Sequence, residues 1–129
     1  MAASSGRDSG GRVLVVADDL IWSTRLAGFV RAAGAEPVVV ATEWALDAGL
    51  VSTDRALVDL TARGYDPLAC VVRAAADGRP VLCVGQHDDL ATRKAALAAG
   101  ASRVLAYRKL ASDGAAVVAA WITEDRRPR

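Results

Sequence analysis

Cysteine, histidine and lysine are nearly missing from this 129-residue chain, and each shortage closes off a chemistry. The two cysteines, Cys70 and Cys83, stand in apolar runs with no second pair and no histidine cluster. They make no zinc site and read as reduced, buried small hydrophobes. His87 is the only histidine, and without a partner it reads as a loop or cap residue before a proton carrier or ligand. Lys94 and Lys109 are the only lysines among the 16 Lys and Arg residues, and the formal charge is only +1. No bulk field favours nucleic acid or an acidic membrane. No run approaches the ~18–20 apolar residues that span a bilayer. Met1–Gly11 is small and polar and lacks a signal core, so the expected location is cytoplasmic. The G-x-G-x-x-G, Walker and G-x-S-x-G motifs are absent, which removes local support for nucleotide-binding and hydrolase readings.

What remains is apolar and regularly punctuated. A content of 53% hydrophobic and 24% charged residues is that of one globular domain with a substantial core. Residues 1–11 (MAASSGRDSGG) and the charged tail 123–129 are expected to be disordered, leaving a domain over 12–122. Short strands are predicted at 12–17, 37–41, 55–59, 80–84 and 103–107. Helices are predicted at about 20–33, 67–77, 89–99 and 111–122, with a short one after Thr42 that carries Trp44, Ala45 and Ala48. Thr42, Asp66-Pro67 and Asp89 supply starts, and Gly34, Gly78 and Gly100 supply stops. Helical spacing puts Trp22 and Trp121 in the core, with Trp44 less firmly placed.

Strict strand–helix alternation predicts a three-layer α/β/α fold around a five-stranded parallel sheet. The flavodoxin-like order 2-1-3-4-5 is the commonest arrangement at this size. Sites in such sheets form beyond the carboxyl ends of the strands, near the switch in strand order. That selects Asp18 and Asp19 after the first strand, Asp59 ending the third, Gly85 after the fourth and Tyr107 ending the fifth. Asp18 and Asp59 would share one pocket. Clustered carboxylates repel, and a hard divalent cation relieves this while retaining water. With the cation bound, one carboxylate can act as a nucleophile toward a phosphoryl group. The plainer alternative is that Asp18 or Asp19 caps the first helix and Asp59 merely ends a strand.

The segment VLVVADDLIWSTRLAGFVRAAG resembles the opening of response-regulator receiver domains. ALVDLTARGYDPL is similar to the third strand and following loop of that family, and PVLCVGQHDD and LAAGASRVLAY to its later elements. The resemblance spans about residues 12–122 and implies a receiver-like fold. It implies Asp59 as phosphoacceptor and Asp18, Asp59 and the Thr61 carbonyl as ligands of Mg²⁺.

Three positions depart from the family pattern. Ala17 replaces its first acidic residue, and Asp19 substitutes only if the turn differs. Gly85 replaces the hydroxyl residue after the fourth strand, and Tyr107 replaces the lysine that pairs with the acyl phosphate. Strand alternation past Tyr107 turns Arg108 away from the pocket and sets Lys109 on Tyr107's side, farther out. The implied role is an atypical or pseudo-receiver, a stand-alone signal-transduction module of the two-component, phosphorelay kind. It would be no enzyme itself and would act through a protein partner, a histidine kinase or downstream regulator. The fourth helix, fifth strand and fifth helix, with Arg93, Lys94, Arg103, Arg108 and Asp113, would form a charged face or a homodimer surface. The alternative is a small-ligand-binding α/β domain whose pocket is opened by Gly85 and edged by Tyr107 and His87. A flavin site is disfavoured because the carboxylates of ADDL would repel phosphate.

Overall fold

The computed structural model describes residues 11–124. Five strands run β1 (Arg12–Val16), β2 (Glu36–Val40), β3 (Arg55–Asp59), β4 (Val81–Gly85) and β5 (Arg103–Ala106). Five helices follow them in turn: α1 (Leu20–Ala32), α2 (Glu43–Val51), α3 (Pro67–Ala75), α4 (Leu90–Ala99) and α5 (Tyr107–Glu124). All strand pairs are parallel and the order is β2-β1-β3-β4-β5, the predicted flavodoxin-like topology.

Alternation along the strands sorts the core into two layers. Leu14, Val16, Ala56, Val58, Val81 and Cys83 face α2, α3 and α4, where Leu46, Cys70, Val71 and Ala96 cover them. Val13, Val15, Leu57, Leu82 and Val84 face α1 and α5, against Leu26, Val30, Val118 and Trp121. Both cysteines are free and buried; burial pushes the Cys83 thiol up to about 12, and burial with the Glu43 charge pushes Cys70 up to about 11. Trp22 is only half-buried and Trp44 is 92% exposed, so of the three tryptophans only Trp121 is fully in the core.

The caps Thr42 and Asp66 fall where the sequence placed them, and Asp89, expected as the first residue of α4, caps it instead. Each accepts a hydrogen bond from the backbone N–H three residues on. Gly34, Gly78 and Gly100 stand at φ 90°, 80° and 120°, conformations that favour glycine.

Several boundaries differ from expectation. β1 stops at Val16, α3 stops at Ala75, and β2 and β4 each sit one residue off. The expected disorder of 1–11 and 123–129 falls mostly outside the described residues. Within them, the Gly11 carbonyl accepts the Glu36 N–H at 3.0 Å, and α5 continues through Thr123 and Glu124. The consequential correction is at β5. It ends at Ala106, and Tyr107 opens α5, which begins four residues before the expected Ala111 and is kinked at Asp113. Strand alternation therefore does not govern Arg108 and Lys109. Both are exposed, and Lys109 pairs with Asp113 at 3.1 Å, one helical turn on.

Candidate functional site at the carboxyl edge of the sheet

β1 and β3 are neighbours, so the chain leaving each opens onto a common cleft. The cleft encloses about 340 Å³ and is lined by Asp18, Asp19, Trp22, Asp59, Thr61 and Arg63. Asp59 is its deepest polar side chain, only 1% exposed. Its Oδ1 accepts the Thr61 N–H at 3.0 Å and the Thr61 hydroxyl at 2.9 Å, and it also accepts the Tyr107 hydroxyl. Tyr107 and Thr61 hydroxyls are in turn within hydrogen-bond reach of each other. No hydrogen bond among the described residues engages Asp59 Oδ2.

Asp18 and Asp19 divide the labour differently from expectation. Asp19 is the N-cap of α1, its Oδ1 accepting the Trp22 N–H at 2.8 Å, so the capping alternative holds for this residue. Asp18 instead pins the loop after β3: Oδ2 accepts the Arg63 N–H at 3.1 Å and the Gly64 N–H at 2.6 Å. A Cβ on residue 64 would lie 2.8 Å from that oxygen, so glycine is needed for the close approach. Asp18 Oδ1 carries no hydrogen bond among the described residues. Arg63 lends the cleft one positive charge beside its three carboxylates.

Two side chains that the sequence did not assign to the site, Tyr65 and Trp22, complete the architecture. The Tyr65 hydroxyl lies 2.8 Å from the carbonyls of both Val16 and Asp59, sharing one proton between the ends of β1 and β3. Trp22 packs its ring 4.4 Å from that of Tyr107, and the Arg25 guanidinium stands 4.8 Å over the Trp22 ring. Only the placement of Tyr107 beside the site was visible beforehand; Thr61 lies 46 positions from Tyr107, and Val16 lies 49 from Tyr65.

Both tyrosines are held protonated. Burial, then the Asp59 and Asp18 charges, raise the Tyr65 phenol far above 10.0. Burial, then the hydrogen bond to Asp59, raise that of Tyr107 from the same value. A raised folded pKa means that the native state keeps protons the unfolded chain releases. Stability is therefore intact below about pH 10 and falls as pH climbs above it. These are the only two tyrosines. An alkaline titration followed by phenolate absorbance should show no ionisation near 10, then release of both phenols together on unfolding. A phenol titrating normally in the folded protein would contradict this.

Gly85 is buried at the end of β4, and the space beside it, shared with His87 and Thr61, is about 20 Å³, room for about one water. Tyr107 does not line that space, so Gly85, His87 and Tyr107 do not enclose one ligand cavity there. A Cβ at Gly85 would meet Leu60 at an ordinary 3.6 Å. Ala17, 1% exposed, belongs to the apolar layer under α1.

No His, Cys, Asp and Glu cluster of three or more among the described residues is arranged to hold a metal ion. Asp18 and Asp59 each leave one oxygen without a hydrogen bond among the described residues, the kind of donor that a hydrated hard cation would take. No helix among the described residues is long and apolar enough to cross a membrane.

No family model and no curated protein matches the sequence. Solved structures do match. The receiver domain of NtrX from Brucella abortus superposes with TM-score 0.76 at 21% identity, over 88% of this chain and 98% of that one. The activated receiver domain of RstA from Klebsiella pneumoniae gives 0.73 at 17%, over 88% and 99%. A CheY-like receiver domain protein from Methanospirillum hungatei gives 0.64 at 20%, over 88% and 97%. The chain has the fold of response-regulator receiver domains.

Proposed function

We propose that the chain is an atypical receiver module, a signal-transduction component that acts through protein contacts, with Asp59 as its phosphoacceptor. One observation carries this reading: a buried carboxylate at the end of the central strand keeps one oxygen free of hydrogen bonds at a cleft it shares with Asp18. Asp18, Asp59 and the Thr61 carbonyl would hold Mg²⁺, which supplies charge neutralisation for an incoming phosphoryl group. An oxygen of Asp59 attacks phosphorus, the bond from phosphorus to the donor atom breaks (imidazole nitrogen of a phosphohistidine, or oxygen of acetyl phosphate), and the donor leaves with that electron pair. Arg63 lies where it can face phosphoryl oxygens. Gly85 brings no hydroxyl to them, and Tyr107 brings a phenol where a cation is usual. Acceptance of phosphate is thus retained while its usual coupling to a second conformation is weakened.

The partner reading, a histidine kinase or a downstream regulator, is supported by a groove of about 590 Å³ between α4, β5 and α5. Leu97, Leu105 and Val117 line it together with Arg93 and Lys109, a mixture suited to a protein surface or a second copy. Incubation with acetyl phosphate and Mg²⁺ tests the acceptor. Intact mass should show one added phosphoryl group on the wild type and none on Asp59→Asn. An unmodified wild type would reduce the module to a pseudo-receiver that signals by binding alone.

A further inference from the structure

Tyr107 and Thr61 between them present three donors to a single oxygen, Asp59 Oδ1. A carboxylate oxygen has about two lone-pair sites, so Oδ1 is saturated. A carboxylate that takes a phosphoryl group on one oxygen while facing a cation with the other needs both oxygens. The Thr61 donors are local, two residues from Asp59, and move with it. Tyr107 is the separable donor: it comes from the first residue of α5, 48 positions away. Its ring is also the point where α5 meets Trp22 on α1, which carries Arg25 on its own ring.

We propose that Tyr107 is an autoinhibitory latch on Asp59. Its hydroxyl must leave Oδ1 before the carboxylate takes a cation and a phosphoryl group together, and that departure shifts the ring against Trp22. The latch deepens the acceptor reading and rests on it. The change is then felt on the α1–α5 face, whereas the β4 side, with Gly85, has no hydroxyl to follow the phosphoryl group. The contact is built on a half-buried ring that packs against Trp22.

Titration of the full chain with MgCl₂, read by calorimetry and by the Trp22 indole N–H resonance, tests the latch. Tyr107→Phe keeps the ring and removes the donor. It should bind Mg²⁺ about tenfold more tightly than wild type, the scale of one charge-assisted hydrogen bond. Saturation should move the Trp22 resonance in wild type and move it less in Tyr107→Phe, where the ring is already released. Trp22→Leu, which withdraws support from the ring and leaves the hydroxyl, should tighten binding in the same direction. That second variant keeps the test alive if Tyr107→Phe is poorly folded. Equal affinities for all three proteins, with binding lost in Asp59→Asn, would overturn the latch and leave the acceptor site standing. Absence of Mg²⁺ binding in every protein would overturn both.

Discussion

Installing Ser at position 85 and Lys at position 107 together should raise the rate of Asp59 labelling by acetyl phosphate by on the order of a hundredfold. Each change supplies one charge-assisted contact to the phosphoryl oxygens, worth about 1.5–3 kcal/mol in isolation. Contacts to one group do not add fully, so the combined gain is set at about 3 kcal/mol, a factor of about a hundred. The site has room for both. The new Cβ at position 85 meets Leu60 at 3.6 Å. A lysine at 107 starts from a backbone position whose present side chain already reaches Asp59. The same change withdraws the phenol from Oδ1. Single variants should fall between wild type and the double variant, with Tyr107→Lys the larger. A double variant that labels no faster than wild type would show that these two positions do not face the reacting group.

Trp121→Ala should lower the free energy of unfolding by about 3–5 kcal/mol, the range for deleting a fully buried large aromatic. Trp121 is 0% exposed in the layer between the sheet, α1 and α5. Arg55 donates to its carbonyl at 3.3 Å, with the guanidinium carbon 5.4 Å from the ring centroid. Its indole N–H is buried and has no hydrogen-bond partner among the described residues. An unmet buried donor costs about 1–3 kcal/mol, so Trp121→Phe removes that penalty while leaving a smaller void. Its net cost should be well below that of alanine. Urea unfolding at neutral pH, with the slope unchanged, measures both. An alanine variant within about 1 kcal/mol of wild type would place Trp121 outside the core.

The strand order and most helix ends were legible because they are written in local chemistry. Buried parallel strands need unbroken apolar runs such as Val13–Val16, and Thr42, Asp66-Pro67 and Asp89 mark helix starts through bonds to amides three residues on. The end of β5 was not legible. Val104-Leu105-Ala106-Tyr107 reads as one apolar strand, but the Tyr107 side chain is claimed by Asp59, Thr61 and Trp22, and the chain turns helical to deliver it. The kink at Asp113 was equally hidden. It precedes Gly114, where the Phe29 ring leaves no room for a Cβ, a constraint set by α1 rather than by α5's own sequence.

The candidate site was partly legible for the same reason. The fold alone brings Asp18 and Asp59 to one cleft. Which oxygen each offers was not readable, because the donors that occupy Asp18 come from a loop 45 and 46 residues downstream. The sequence points to Asp18 as a ligand and to Asp19 as a substitute only if the turn differs; Asp19 is a helix cap and Asp18 anchors the loop after β3.

Borohydride trapping of the acetyl phosphate-treated wild type, followed by peptide mapping, tests the central claim most directly, since it reports which carboxylate carries the acyl phosphate. The account predicts reduction at Asp59 alone, greater in Tyr107→Phe than in wild type. Reduction at another residue, or none in either protein, would contradict it.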